Sequence, residues 1–218
     1  MKKATATLKS KTPLMFEKMT DAAIDSLPGS PNKKKNDRPK DDTAEDIAED
    51  KIDRDGKGRM GIPAEMIFAA LKRAGRRVGY GQGKTKVSTA ESTYLPEFFS
   101  LSSDFFPFVG IDKKGNLPWK VDKRRGVNPA TGGAMCLIRP KIDEWEMEVQ
   151  FEFDDAVFSS DSMKQLFNYA GTGSGLGAFR PGCGGPFGCF TMAKWQEEEI
   201  KSEFEAPKRN STLVVAGE

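Results

Sequence analysis

The residues best suited to bind an anion lie in a glycine-rich segment near the end of the chain, residues 171–190. The segment reads GTGSGLGAFRPGCGGPFGCF and holds eight of the 22 glycines. Glycine lets the main chain turn tightly and approach a ligand closely, and exposed backbone N–H groups bind anions such as phosphate. We predict N–H ligands at Gly173, Gly175 and Gly177, and a guanidinium with a bidentate fork at Arg180. The alternative is a loop that only joins a helix to a strand.

A second group of candidate ligands is cationic and lies in the middle of the chain. Four cations occupy the last turns of a helix predicted over residues 62–78, where they also suit the helix dipole: Lys72, Arg73, Arg76 and Arg77. Four more lie in residues 112–141, a predicted basic hairpin or finger: Lys123, Arg124, Arg125 and Arg139. We predict that both groups contact backbone phosphates. The alternative is that both are ordinary solvated surfaces.

Charge is strongly segregated along the chain although the net charge is only +2. Residues 62–141 contain 14 Lys and Arg against 6 Asp and Glu, and residues 142–218 contain 6 against 14. The basic segment therefore predicts a surface for phosphates. The acidic segment predicts a surface for a basic partner, such as another copy of the chain, or it neutralises the basic segment within one molecule.

The composition excludes several kinds of catalysis. There is no histidine, which removes Ser–His and Cys–His nucleophiles. The three cysteines are too few and too irregularly spaced for a disulfide framework or a zinc site. Catalysis would have to use carboxylates, Lys, Tyr or a carboxylate-bound metal, and we predict no cofactor.

Hydrophobic periodicity predicts a single α+β domain over residues 1–218. The expected strands and helices are, in order, a strand over 3–9, a helix over 62–78, a strand over 144–154, a helix over 159–169, a strand over 190–195 and an acidic helix over 196–205. Residues 28–61 are a charged insertion that we expect to be mobile unless it binds something, and residues 206–218 are an expected tail.

The strand predicted over residues 144–154 has two chemically different faces. Its apolar residues are Trp145, Met147, Val149, Phe151 and Phe153, and glutamates dominate the alternate positions. An acidic face repels phosphate, so we do not expect nucleic acid to lie flat across this strand. The chain also has no apolar run long enough to span a membrane and no secretory signal, which predicts a cytoplasmic protein without a membrane partner.

The order of these elements resembles a split βαβ arrangement, the ferredoxin-like or RRM-like fold with long insertions and a glycine-rich loop before the last strand. Within that class the chain is similar to the RAMP superfamily of CRISPR-associated proteins, on three features: the opening strand that leads into TPLMF, the helix GIPAEMIFAALKRAG after a charged insertion, and the glycine-rich loop. The resemblance implies a backbone subunit that coats guide RNA through its sugar-phosphate backbone and assembles with further copies and other effector subunits. It also implies a finger that kinks the RNA at intervals.

The expected function is therefore non-catalytic binding of single-stranded nucleic acid, with guide RNA as the first candidate. Three alternatives stay open: a phage-type protein that binds single-stranded DNA, a metal-dependent RNA nuclease and a protein-binding inhibitor that imitates a filament subunit. The nuclease would use carboxylates of the insertion, among them Asp37, Asp41 and Asp42.

Overall fold

The computed structural model describes residues 1–30, 42–80, 85–128 and 131–200. It is a mixed α+β structure with antiparallel sheets. Its elements are β1 (Lys2–Ser10), β2 (Leu14–Met15), α1 (Asp21–Asp25), α2 (Ala44–Glu49), β3 (Gly61–Pro63), α3 (Ala64–Ala74), α4 (Leu95–Phe98), β4 (Phe99–Leu101), β5 (Phe105–Pro107), β6 (Lys120–Val127), β7 (Ala134–Ile142), β8 (Glu146–Phe153), α5 (Ser160–Tyr169) and β9 (Phe190–Glu199).

The largest sheet has four strands in the order β4-β8-β1-β9, and every neighbouring pair is antiparallel. The predicted first strand is confirmed as β1, which lies between β8 and β9. Apolar and polar residues alternate along β1, so that Ala4, Ala6 and Leu8 are buried on the inner face of the sheet. The opposite register positions, with Thr5 between Gln150 and Gln196, define the outer face of the sheet.

Two helices, α3 and α5, bury their apolar residues in the same core as the inner face of the sheet. Phe167 of α5 stacks on Phe151 of β8 with ring centroids 5.1 Å apart, and burial of such a ring stabilises the fold by about 2 to 3 kcal/mol. Helix α5 begins after Ser159, whose hydroxyl accepts a hydrogen bond from the backbone N–H of Ser162. Both helices are therefore fixed against the sheet at their apolar sides.

Helix α3 is shorter than the predicted helix over residues 62–78. Pro63 has extended backbone angles, φ −60° and ψ 142°, and caps the helix from outside the first turn. At the other end the helix stops at Ala74, and Gly75 lies close to the Ser88 hydroxyl. The last two predicted arginines of the helix, Arg76 and Arg77, consequently lie in the turn that follows it.

Strand β9 corrects the prediction of an acidic helix after residue 195. The strand continues to Glu199 because β1 pairs with it along its whole length, from Ser10 opposite Phe190 to Lys2 opposite Glu199. An ion pair of 3.1 Å between Lys2 and Glu197 reinforces this end of the ladder. Residues 201–205 of the predicted helix, and the predicted tail over 206–218, lie outside the described residues.

Residues 42–61 of the charged insertion have a defined structure. This part forms α2 and a turn, and Ala48, Ile52 and Met60 are each at most 2% exposed. Three buried apolar side chains are enough to anchor a segment whose composition is otherwise charged. Residues 31–41 of the insertion, which contain Asp37 and Asp41, lie outside the described residues.

Residues 120–142 form a two-stranded hairpin of β6 and β7, with Val127 opposite Ala134 near its tip. Strand β7 also pairs with the short β2, which joins the base of the hairpin to the chain that follows β1. Among the helices that the structure describes, none has the length and hydrophobicity that a membrane span requires.

Candidate nucleic-acid interface

The arginines at the end of α3 are exposed. Arg73, Arg76 and Arg77 form no ion pair with any residue that the structure describes. Within the described part of the chain, the side chains of this group form one hydrogen bond, from Arg76 Nε to the backbone oxygen of Thr89 at 3.2 Å. Most of the guanidinium donors of the three arginines are therefore available to a ligand.

A turn of π-helix, Ala170–Ser174, places the start of the glycine-rich segment beside these arginines. Gly173 faces Arg77, since a Cβ built on Gly173 would lie 3.3 Å from Arg77 Nη1. The ring of Tyr169 lies under the same arginine, with 5.9 Å between Arg77 Cζ and the ring centroid. A residue larger than glycine at 173 would crowd this guanidinium.

These residues enclose a cavity of about 220 Å³, which we name the arginine pocket. Its lining consists of Arg73, Ala74, Arg76, Arg77, Tyr169, Gly173 and Ser174. None of the described residues that line the pocket is a carboxylate. The pocket is therefore a positively charged site with planar donors that match the geometry of phosphate.

The glycine-rich segment beyond the pocket is more firmly folded than its composition predicts. The N–H of Gly175 donates to the Ala170 oxygen at 2.8 Å, that of Ala178 to Met15 at 2.7 Å, and that of Gly188 to Pro13 at 2.7 Å. A Cβ on Gly188 would overlap the backbone oxygen of Leu176. Most of these glycines thus serve close packing of the main chain against itself and against β2.

The three glycines predicted as anion ligands consequently differ. Gly173 lines the arginine pocket. Gly175 uses its N–H inside the protein, and Gly177 is buried where a Cβ would overlap the Met15 oxygen. Of the three, only Gly173 therefore lies where it could contact a ligand in the pocket.

Arg180 lies between the pocket and the hairpin. Its Nη1 donates to the backbone oxygen of Gly177 at 2.6 Å, which fixes the guanidinium over its own loop. The following turn of 3₁₀-helix, Pro181–Cys183, brings Gly182 next to the pocket, because a Cβ on Gly182 would lie 3.6 Å from Arg73 Cδ. Arg180 and the pocket therefore belong to one continuous surface.

The hairpin meets the same surface through Arg124. This arginine donates to both oxygens of Asp122, at 2.6 and 3.0 Å. Its Cζ lies 4.7 Å from the ring centroid of Phe187 and 6.0 Å from that of Phe179. Arg124 thus ties the middle of the hairpin to the glycine-rich segment.

The other predicted cations are not gathered into the pocket. Lys123 and Arg125 are exposed at alternate positions from Arg124 along β6. Arg139 pairs with Glu17, and burial lowers the pKa of Arg139 from its ordinary value. Lys72 is half-buried on α3 and does not line the pocket.

The outer face of the four-stranded sheet has the opposite character. Glu146, Glu148 and Glu152 of β8 flank the central β1, and the remaining register positions of that face on these strands are also polar. RRM proteins bind RNA by stacking bases on aromatic residues of this face. Here the rings of β8 point into the core instead, so the candidate interface is the side that carries the arginine pocket.

Three aromatic residues of the interface were not predicted from the sequence. Tyr169, Phe179 and Phe187 occur singly in a helix end and a glycine-rich loop, where no periodicity marks them. Phe179 could have been identified from the sequence, because it directly precedes Arg180 within the glycine-rich segment. An exposed aromatic beside an arginine is common in sites for single-stranded nucleic acid.

Three of the seven described carboxylates of the insertion have hydrogen-bond partners among the described residues, namely Asp46, Glu49 and Asp55. Asp46 accepts hydrogen bonds from Thr43, and Asp55 accepts from Lys57 and Arg59. Asp53 differs, because it is 6% exposed and its Oδ2 has no hydrogen-bond partner. Burial raises the pKa of Asp53 to about 6. Among the residues that the structure describes, no group of three carboxylate or cysteine ligands is placed to hold a metal ion.

A scan of the chain against models of protein families gives no match, and a search of curated protein sequences gives no significant match either. The function must therefore be argued from the site itself.

Proposed function

We propose that this protein binds single-stranded nucleic acid without cleaving it, through the sugar-phosphate backbone, and that its ligand is RNA. The observation that carries the proposal is the arginine pocket: three arginines that form no ion pair with a described residue surround a cavity that is also lined by a tyrosine ring and a glycine. Such a combination of fixed charge and an aromatic face matches an unpaired strand.

The strand order supports a ferredoxin-like core for this proposal. Six elements have the chain order strand, helix, two strands, helix and strand, with other elements inserted between them: β1, α3, β4, β8, α5 and β9. The sheet order is β4-β8-β1-β9. This is the order expected of a split βαβ fold. It favours the RAMP-like assignment, in which several copies would bind along one guide RNA as part of a CRISPR-type effector.

The test is the dependence of binding on salt. Fluorescence anisotropy would follow the wild-type protein on labelled RNA, single-stranded DNA and duplex DNA at several salt concentrations. We expect tight binding to the single strands and an affinity that falls linearly with the logarithm of salt concentration. RNA should bind more tightly than DNA. A salt slope near zero would contradict the proposal.

A double variant, Arg73→Gln with Arg77→Gln, tests the pocket. Removal of two phosphate contacts should weaken RNA binding by about 2 kcal/mol, roughly thirtyfold, and reduce the salt slope by about 1.4. The matched control is Lys3→Gln with Lys9→Gln, which removes the same charge from exposed positions on the outer face of the sheet. An equal loss in the control would mean that net charge, and not the pocket, governs binding.

The same samples separate the alternatives. Recovery of intact RNA after incubation with Mg²⁺ or Mn²⁺ is expected, whereas cleaved RNA would favour the nuclease. Tighter binding to DNA than to RNA would favour a DNA-coating protein. Complex masses measured on RNA strands of increasing length would show whether further copies bind side by side.

A further inference from the structure

Phe179 has an unusual backbone conformation and an unusual environment. It is the one non-glycine residue with positive φ, 51°, in the part of the chain that the structure describes. Its side chain is 42% exposed, although the residue is large and apolar. A left-handed conformation is unfavourable for a non-glycine residue, so the surrounding structure must hold Phe179 in place.

Contacts on three sides of Phe179 fix its backbone. The N–H of the preceding Ala178 donates to Met15 at 2.7 Å, and the Phe179 oxygen accepts from the Phe187 N–H at 3.2 Å. Gly185 packs so closely on the Phe179 oxygen that a Cβ at 185 would overlap it. The main chain is therefore held from the side of β2 and from its own loop, and the ring stays outside the core.

Phe187 and Arg124 support the exposed ring. The centroids of Phe179 and Phe187 are 6.0 Å apart with 35° between the ring planes, and the Arg124 guanidinium lies over both rings. Asp122 holds that guanidinium through two hydrogen bonds. Two rings and one oriented guanidinium plane thus form a preorganised aromatic surface.

This surface lies next to the arginine pocket along the same segment. Arg180 follows Phe179 directly, and the turn after Arg180 brings Gly182 beside Arg73 and the Ser174 oxygen. A strand whose phosphates occupy the pocket would therefore bring its neighbouring bases to Phe179. Only an unpaired base offers a free face for stacking.

We propose that Phe179, supported by Phe187 and Arg124, is a stacking platform for an unpaired base of the strand that binds in the arginine pocket. The proposal rests on the proposed function and names the part of the site that distinguishes a single strand from a duplex. The pocket binds phosphates, which both forms possess, whereas the platform binds the face of a base.

The first experiment needs no variant. A short oligoadenylate RNA carrying 2-aminopurine at alternate positions is saturated with the wild-type protein, and the fluorescence of the probe is measured. Neighbouring adenines already quench 2-aminopurine in the free oligonucleotide, so a base that leaves them to stack on the platform should show a changed fluorescence. Saturated binding without any change in quenching would overturn the platform and leave phosphate binding intact.

The second experiment compares Phe179→Leu with Phe179→Tyr. The leucine variant keeps an apolar side chain but removes the ring, so it should bind the oligoadenylate about tenfold more weakly, with an unchanged salt slope. The tyrosine variant keeps the ring and should bind within about twofold of the wild type. The two variants share the backbone strain at position 179, which makes them a matched pair, and their thermal midpoints would verify folding.

The outcomes separate the two proposals. If Phe179→Leu binds like the wild type while Arg73→Gln with Arg77→Gln binds weakly, the platform is wrong and the proposed function stands. If the wild type binds no RNA, or binds it without salt dependence, the proposed function fails together with the platform. Preference for single strands should also fall by about tenfold in Phe179→Leu, since its binding to duplex DNA should not change.

Discussion

In the glycine-rich segment the main chain makes the stabilising contacts, whereas in residues 42–61 of the insertion the side chains make them. The first segment is held by N–H groups that donate to Pro13, Met15 and to its own oxygens. In the second, Thr43 and Asp46 form a capping box, and Arg54 bonds Glu49 at 2.5 Å and Asn116 at 2.7 Å. Both segments are poor in large apolar residues, yet both are folded.

The difference explains where a ligand can bind. The main-chain contacts of the glycine-rich segment leave the side chains of the neighbouring arginines free, and Arg73 and Arg77 form no ion pair with a described residue. In the insertion, by contrast, Asp46, Asp55 and Glu49 are engaged in contacts within the segment. The surface beside the glycine-rich segment is therefore the better candidate for binding an anion.

The largest expected effect concerns glycine in the two segments. Gly188→Ala should lower the free energy of unfolding by about 4 kcal/mol, because its Cβ would overlap the Leu176 oxygen at a position with φ of 70°. Gly56→Ala in the insertion is the matched control, since a Cβ there has nothing within 4 Å, and it should change stability by less than about 0.5 kcal/mol. Urea unfolding would measure both. Similar costs at both positions would contradict the contrast between the segments.

The next effect depends on pH and concerns the buried carboxylate of the insertion. Burial and the nearby Glu65 raise the pKa of Asp53 to about 6, while Lys18 lowers it. The folded protein therefore retains this proton at a pH where the unfolded chain has lost it, and wild-type stability falls as the pH rises from about 4 to about 6. Asp53→Asn removes this dependence. Its stability relative to the wild type should grow by about 3 kcal/mol over that range and then stay constant.

Unfolding by urea at a series of pH values would test this prediction. The exposed Asp50 of the same segment supplies the control, and Asp50→Asn should show no comparable growth with pH. If the stabilities of Asp53→Asn and the wild type differ by the same amount at every pH, Asp53 is either exposed or has a polar partner in the folded protein. Cleavage of RNA by the wild type that Asp53→Asn abolishes would instead give the insertion a catalytic role.

The smallest expected effect concerns the residue that caps helix α2 in the insertion. Thr43→Ala removes the side chain that caps α2 and should cost about 1 kcal/mol of stability. It should leave RNA affinity unchanged, because α2 is part of the insertion and not of the arginine pocket. Thermal unfolding and anisotropy on the same sample would measure the two quantities. A parallel loss of RNA affinity would show that the insertion takes part in binding.

The alternation of Ala4, Ala6 and Leu8 was sufficient to predict the central strand, and Trp145 to Phe153 predicted its neighbour. The end of β9 was not predictable in this way, because its glutamates have no apolar alternation and are extended only through their pairing with β1. The fold of residues 42–61 in the insertion was not predictable for a similar reason. Ile52 and Met60 are isolated in a charged sequence, and their burial depends on residues distant along the chain.

For the candidate site, the sequence by itself determined the amounts and positions of charge and of glycine. It placed Arg73, Arg76, Arg77 and Arg180 in two segments and left their partners undefined. Only the tertiary structure decided which cations are free, because ion pairs and ring contacts join residues far apart, such as Arg139 with Glu17 and Arg124 with Phe187. The sequence determines which side chains can carry a charge, and folding decides whether another side chain neutralises it.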